Sequence, residues 1–148
     1  MYNNSFQIKR SDNSLKKEQR SIVPKKKILF VEEEADLRKS IACALRMQGW
    51  EVVTEPNGNN ILKCVHTAIQ QKEPIDLIII DLNLPGLSGI KFIDALRSAG
   101  IETPFGVLTA FGNSLESAVL VEKGCVFCLD KPFDSDQLER YVSNVLPM

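Results

Sequence analysis

Four short runs of consecutive apolar residues punctuate the chain: Ile28-Leu29-Phe30-Val31, Leu77-Ile78-Ile79-Ile80, Phe105-Gly106-Val107-Leu108 and Val126-Phe127-Cys128-Leu129. A strand apolar at both alternating positions is expected to be buried on both faces, the habit of parallel sheets covered by helices. Val52-Val53, between charged neighbours, fits a shorter edge strand. Five stretches of helical period lie between and after these runs. Leu37, Ile41, Ala44 and Leu45 share one face, as do Ile61/Leu62, Val65 and Ala68/Ile69, and Ile90, Ile93 and Leu96 outline a third. Leu115, Ala118 and Val119 mark the fourth helix, and Leu138, Tyr141/Val142 and Val145 the fifth. Asn113…Glu116 and Asp134…Gln137 have capping-box spacing, and Gly49, Gly100 and Gly124 sit where the first, third and fourth helices should stop. Strand and helix alternate five times over short connections, which requires right-handed crossovers and helices on both sides of the sheet. The expected fold is α/β, a doubly wound (βα)5 arrangement around a five-stranded parallel sheet.

Composition agrees with one soluble domain. The 148 residues are 44% hydrophobic and 25% charged, and a chain of this length needs no disulfide or metal to close its core. The formal net charge of −1 hides an asymmetry, because residues 1–27 hold eight Lys/Arg against two acids while the remainder is acidic. Residues 1–25 show neither strand nor helix period and are read as a flexible basic arm, with the domain proper over 26–148. The arm has almost no aromatic interleaving, which argues against specific nucleic-acid binding. Nothing resembles an export signal or a membrane span, so the chain is expected in the cytoplasm with its four cysteines reduced. Cys125-Val126-Phe127-Cys128 has no second cysteine pair or histidine at zinc spacing, and on a regular strand its two thiols face opposite ways. His66 is expected to be a solvated helix residue.

In a doubly wound sheet, function sits at the carboxyl ends of the strands. Here strand one ends in Glu32-Glu33-Glu34, strand three in Asp81, strand four in Thr109, and strand five runs into Asp130-Lys131-Pro132. The fold gathers carboxylates, a hydroxyl and an ammonium into one pocket. Two like unit charges about 4 Å apart repel by about 4 kcal/mol at an effective dielectric of 20, so clustered carboxylates call for a cation. Oxygen ligands without a nearby histidine or thiolate pair favour Mg²⁺ or Mn²⁺ over Zn²⁺. A divalent ion, a carboxylate nucleophile and a lysine together suit phosphoryl transfer.

With Ile28–Glu34, Asp81-Leu82-Asn83-Leu84-Pro85-Gly86-Leu87-Ser88-Gly89, Leu108-Thr109-Ala110 and Lys131-Pro132-Phe133 in this order at predicted strand ends, the chain resembles the receiver domains of two-component response regulators over about residues 26–146. The resemblance implies a flavodoxin-like strand order of 2-1-3-4-5. It implies that Asp81 accepts a phosphoryl group from the phosphohistidine of a sensor histidine kinase or phosphotransfer protein. Glu33, with Glu32 behind it, takes the place of the acidic metal pair, and the carbonyl of Asn83 completes the ligands of Mg²⁺, or of Mn²⁺. Lys131 pairs with the phosphoryl oxygens, Thr109 turns its hydroxyl onto one of them, and the bond Lys131–Pro132 is cis. The resulting change reshapes the face of helix four, strand five and helix five for an output partner.

The chain departs from the family's pattern in two ways. Glu stands where Asp is usual at both acidic positions, and Cys128 stands where an aromatic is usual, three residues before the lysine. The leading expectation is a stand-alone phosphoacceptor that signals by docking, since the chain ends about where helix five ends. The alternative is a phosphorylation-independent pseudo-receiver, a binding module of the same fold. A flavin or nucleotide enzyme would need a phosphate cradle after strand one, where this chain carries three glutamates and no glycine-rich motif. Turnover of an external substrate is therefore not expected.

The arm yields a first prediction. Removing residues 1–24 leaves a domain that melts cooperatively within a few degrees of the parent, as read by circular dichroism, because the arm has too little apolar surface to offset its ordering entropy.

Overall fold

A computed structural model of the chain describes residues 24–82, 89–110 and 114–147. The strands are β1 (Lys27–Val31), β2 (Glu51–Glu55), β3 (Leu77–Asp81), β4 (Phe105–Thr109) and β5 (Cys125–Asp130). The helices are α1 (Ala35–Met47), α2 (Ile61–Gln70), α3 (Gly89–Ser98), α4 (Ser114–Glu122) and α5 (Ser135–Val145), with a 3-10 turn at Gly58–Asn60 before α2. All pairings are parallel and the strand order is β2-β1-β3-β4-β5, the doubly wound arrangement expected. The expected flexible arm lies almost wholly outside the described residues, as do Asn83 and the cap at Asn113.

Two apolar clusters flank the sheet. On one side Leu29, Val31, Ile78, Ile80, Phe105 and Val107 meet α2 and α3 through Ile61, Val65, Ile93 and Leu96. On the other Ile28, Phe30, Leu77, Ile79 and Leu108 meet α1 and α5 through Ile41, Leu45, Leu138 and Val142. β3 and β4 are buried at every position, so their unbroken apolar runs are explained by cover on both faces. Each fully buried aliphatic side chain contributes about 1.5–3 kcal/mol relative to exposure.

Local signals place the helix ends as read. The Asp134 carboxylate accepts from the backbone N–H of Gln137 at 2.7 Å, capping α5. Gly49, Gly100 and Gly124 take φ of 111°, 77° and 97°, the left-handed region that ends α1, α3 and α4. Arg97, at the end of α3, donates to the carbonyls of Ile101 and Thr103 and lies over the Phe105 ring, which fixes the entry into β4.

Four expectations are corrected. β2 is an edge strand but not a short one, being five residues like β1, β3 and β4. β5 is not buried on both faces: Phe127 and Leu129 are buried while Val126, Cys128 and Asp130 are exposed, and among the described residues no strand pairs with its outer edge. Among the described side chains of α4 Leu120 is buried while Ala118 and Val119 are exposed, and the side chain of Leu115 lies outside them; the consecutive apolar residues Ala118, Val119, Leu120 and Val121 give sequence periodicity no preferred phase. Finally, Cys125 and Cys128 do not face opposite ways. The β4–β5 register shifts, with Phe105 opposite Cys125 but Gly106 opposite Phe127, so Val126 is a bulge residue and strict alternation fails.

That bulge turns Phe127 inward over Gly106. A Cβ at Gly106 would overlap the Phe127 ring, which is itself held against Tyr141 at 5.6 Å between centroids. Gly106→Ala is therefore expected to lose about 1–3 kcal/mol in urea denaturation, the usual cost of overpacking. In a Phe127→Leu background the same alanine should cost measurably less, a coupling that a double-mutant cycle reads directly.

Candidate functional site

The parallel register sets the carboxyl ends of β1, β3 and β4 side by side. Val31 lies opposite Ile80, Asp81 opposite Leu108, and Thr109 opposite Asp130. Asp81 is the last residue of β3 rather than a loop residue, and is 5% exposed. Thr109 closes β4 at 4%, and Glu32, just beyond β1, is buried at 2%. Three polar side chains thus enter the sheet's edge where the aliphatic runs stop.

Lys131 supplies the counter-charge. Its backbone N–H donates to the carbonyl of Thr109 at 2.8 Å, tying the exit of β5 to the end of β4. Its ammonium then reaches Asp81 Oδ2 at 2.7 Å and Glu32 Oε2 at 3.4 Å. The bond Lys131–Pro132 is cis. Burial works to lower the pKa of this ammonium, yet the hydrogen bond and charge of Asp81, joined by Glu32, outweigh it and the net displacement is upward.

Glu32 moves the other way from an ordinary surface carboxylate. Burial raises its pKa above 4.5, the charge of Asp81 raises it further, and the N–H of Glu34 and the Lys131 ammonium only partly oppose this. Glu32 Oε1 accepts from that Glu34 N–H at 3.2 Å, at the entrance to α1. Repulsion between the two carboxylates is therefore incompletely relieved by one lysine. Among the described residues no three carboxylate, histidine or cysteine side chains are gathered closely enough to hold a metal ion by themselves.

Of the predicted residues, Glu32, Asp81, Thr109 and Lys131 stand at the shared edge, and the charged three are in contact or nearly so. Glu33 is exposed beside them. Asn83 lies outside the described residues. Sequence reading missed Arg38, whose guanidinium donates to the carbonyls of Glu32 and Glu33 at 2.9 and 3.1 Å and braces the acidic turn from the first turn of α1. No motif announces it, since an arginine one turn into a helix is ordinary. His66 is exposed on α2, as expected. Among the described residues no helix is long and apolar enough to cross a membrane.

Comparison with known proteins agrees with the fold. The family described as "Response regulator receiver domain" matches residues 28–143. The Two-component response regulator PhoP of Pseudomonas aeruginosa is 36% identical over 120 residues, covering 81% of this chain and 51% of that protein. The Probable transcriptional regulator ycf27 of Porphyra purpurea is 33% identical over 122 residues, covering 82% of this chain and 48% of that one. The chain thus spans about half the length of the curated relatives it matches. Among solved structures, the chemotaxis response regulator CheY4 of Vibrio cholerae aligns with a TM-score of 0.70 at 30% identity, covering 83% of this chain and 100% of that one. The receiver domain of the Francisella response regulator 1452 aligns at 0.73 with 25% identity, covering 82% and 96%.

The raised pKa of Glu32 makes a pH prediction. Its folded value lies above its unfolded one, so the native state binds the extra proton across that interval and stability falls as pH rises through it. Above the interval an ionised, buried Glu32 opposes folding. Glu32→Gln should therefore be more stable than the parent at neutral pH, with the advantage shrinking as pH falls toward the ordinary glutamate value, as read by denaturation midpoints at several pH values.

Proposed function

The chain belongs to the response regulator receiver domain family, and on that premise we propose that it takes a phosphoryl group on Asp81 from a sensor histidine kinase or phosphotransfer protein and signals by altered docking to a partner. The observation that carries the proposal is a nearly buried carboxylate at the end of β3 with the Lys131 ammonium at 2.7 Å. Receiver domains are signalling modules rather than enzymes that turn over a substrate. They interact with histidine kinases or phosphotransfer proteins and generally bind Mg²⁺ at the phosphorylation site.

In the proposed step a carboxylate oxygen of Asp81 bonds to phosphorus while the phosphorus–nitrogen bond to the donor imidazole breaks and the nitrogen leaves with the electron pair. An acyl phosphate forms without redox change. Such transfers depend mainly on positioning and on neutralising charge over the phosphoryl oxygens. Lys131 meets one of those oxygens with its ammonium, and Thr109 offers its hydroxyl to another. Glu32, Glu33, Asp81 and the carbonyl of Asn83 would hold Mg²⁺ or Mn²⁺, which when bound neutralises further phosphoryl charge. Each glutamate is a methylene longer than aspartate, and Mg²⁺ demands near-octahedral oxygens at about 2.0–2.1 Å, so Mn²⁺ should be handicapped less.

For the output, Val119 and Val121 of α4, Val126 of β5 and Tyr141 of α5 are exposed, an apolar surface that supports partner docking on this face. The stand-alone form is part of the proposal; a native polypeptide as long as the curated relatives would replace it. A second reading, a pseudo-receiver that binds partners without phosphorylation, is favoured by the exposure of Glu33 and by the ammonium already lying between Asp81 and Glu32.

Intact mass after incubation with acetyl phosphate decides between them. The parent should gain one phosphoryl group with Mg²⁺ and little without it, and Asp81→Asn should gain none. In calorimetric titration, replacing Glu32 and Glu33 by Asp should tighten Mg²⁺ binding and speed phosphorylation, while Glu33→Gln should remove most of both. No phosphoryl gain in the parent would install the pseudo-receiver reading.

A further inference from the structure

On a regular strand Cys125 and Cys128 would be separated by three residue steps, about 10 Å, and would face opposite sides. The bulge changes both quantities. Cys125 lies opposite Phe105, Phe127 opposite Gly106 and Cys128 opposite Val107, so four residues of β5 run beside three of β4. Two steps of β4 measure about 6.6 Å, inside the Cα separation of about 4.4–6.8 Å that a disulfide spans. Both cysteines fall on the side of Phe105 and Val107, and Cys125 packs against the cluster containing that pair.

The thiols also differ in access. Cys128 is exposed, whereas Cys125 is partly buried, and its Sγ donates to the carbonyl oxygen of Phe127 at 2.9 Å. That carbonyl carbon is bonded to the nitrogen of Cys128, so the Cys125 sulfur is turned along the strand toward its neighbour. Cys43 and Cys64 belong to different helices, α1 and α2, and Cys64 is engaged with Glu55 at 3.2 Å.

We propose that Cys125 and Cys128 form a dithiol site that closes reversibly to an intrachain disulfide by exchange with a small-molecule disulfide. The Cys128 thiolate attacks one sulfur of the external disulfide, whose sulfur–sulfur bond breaks to release one thiolate and leave a mixed disulfide on Cys128. Cys125 then loses its proton to solvent and its sulfur attacks that of Cys128, forming the protein disulfide and expelling the second thiolate. The two protein thiols are oxidised by two electrons, and the external disulfide is reduced to two thiols. Burial, with the nearby Cys128 adding to it, outweighs the lowering effect of a backbone hydrogen bond from Phe127 and pushes the Cys125 thiol up to about 11. The exposed Cys128 accordingly reacts first and Cys125 resolves.

The test uses the full, reduced chain and oxidised glutathione at neutral pH, read by intact mass, peptide mapping and thiol count. The expected product has lost two hydrogens and two of its four thiols, with the bridge inside the peptide carrying both residues. Cys125→Ser should stop with one glutathione on Cys128, and the Cys43→Ser/Cys64→Ser double variant should still bridge. An unmodified parent, a parent that keeps glutathione on Cys128, a bridge between chains, or a bridge that survives Cys128→Ser would each overturn the proposal. The parent's own mass decides it even if a variant fails to fold.

Discussion

Strands buried on both faces can place charged groups only at their ends. β3 and β4 are fully buried along their length and β1 nearly so, which leaves their carboxyl ends as the one place where Glu32, Asp81 and Thr109 can stand. Parallel hydrogen bonding then sets those ends at a common level, since Ile28 to Val31 of β1 are in register with Leu77 to Ile80 of β3, and Ile78 to Asp81 of β3 with Phe105 to Leu108 of β4. The relative placement of the polar groups is thus a property of the backbone ladder. It does not depend on flexible loops finding one another.

Two nearly buried carboxylates in such a place need a cation, because desolvated charge is costly unless paired. Lys131 meets the requirement from a short connection anchored to Thr109, and its two contacts are unequal, close to Asp81 and longer to Glu32. The upward displacement of both groups follows from that geometry. Lys131 is held more firmly protonated by its anionic neighbours, while Glu32 pays for burial beside Asp81 with a weakened hold on its charge. A site poised in this way responds to any added charge on Asp81, because the same lysine serves both carboxylates.

β5 is the strand where this order loosens. Among the described residues it pairs only with β4, and its bulge at Val126 sends Phe127 over Gly106 toward α5. One irregularity of a single residue therefore fixes where the aromatic packs, why β4 carries glycine at its second position, and on which face the two cysteines lie. It also sits five residues before Lys131, on the strand that delivers the lysine to the site.

The element types, their order and the polar strand ends were legible in the residues, because unbroken aliphatic runs and helical periods record which surfaces must be buried. Asp134 and the three terminating glycines were legible for a similar reason, each being a local solution to a local backbone need. Periodicity could not phase α4, where Ala118, Val119, Leu120 and Val121 are all apolar and only packing selects Leu120. Nor could it show that Glu32 rather than Glu33 turns inward, or that Arg38 braces the turn between them, since three adjacent glutamates look alike until the chain around them is folded. What the sequence determined by itself is the burial pattern, a sum of short-range preferences along one chain. What only the tertiary structure decided is which neighbours face each other across elements, including the β4–β5 register, because that depends on contacts between residues distant in sequence whose cost or gain no local pattern encodes.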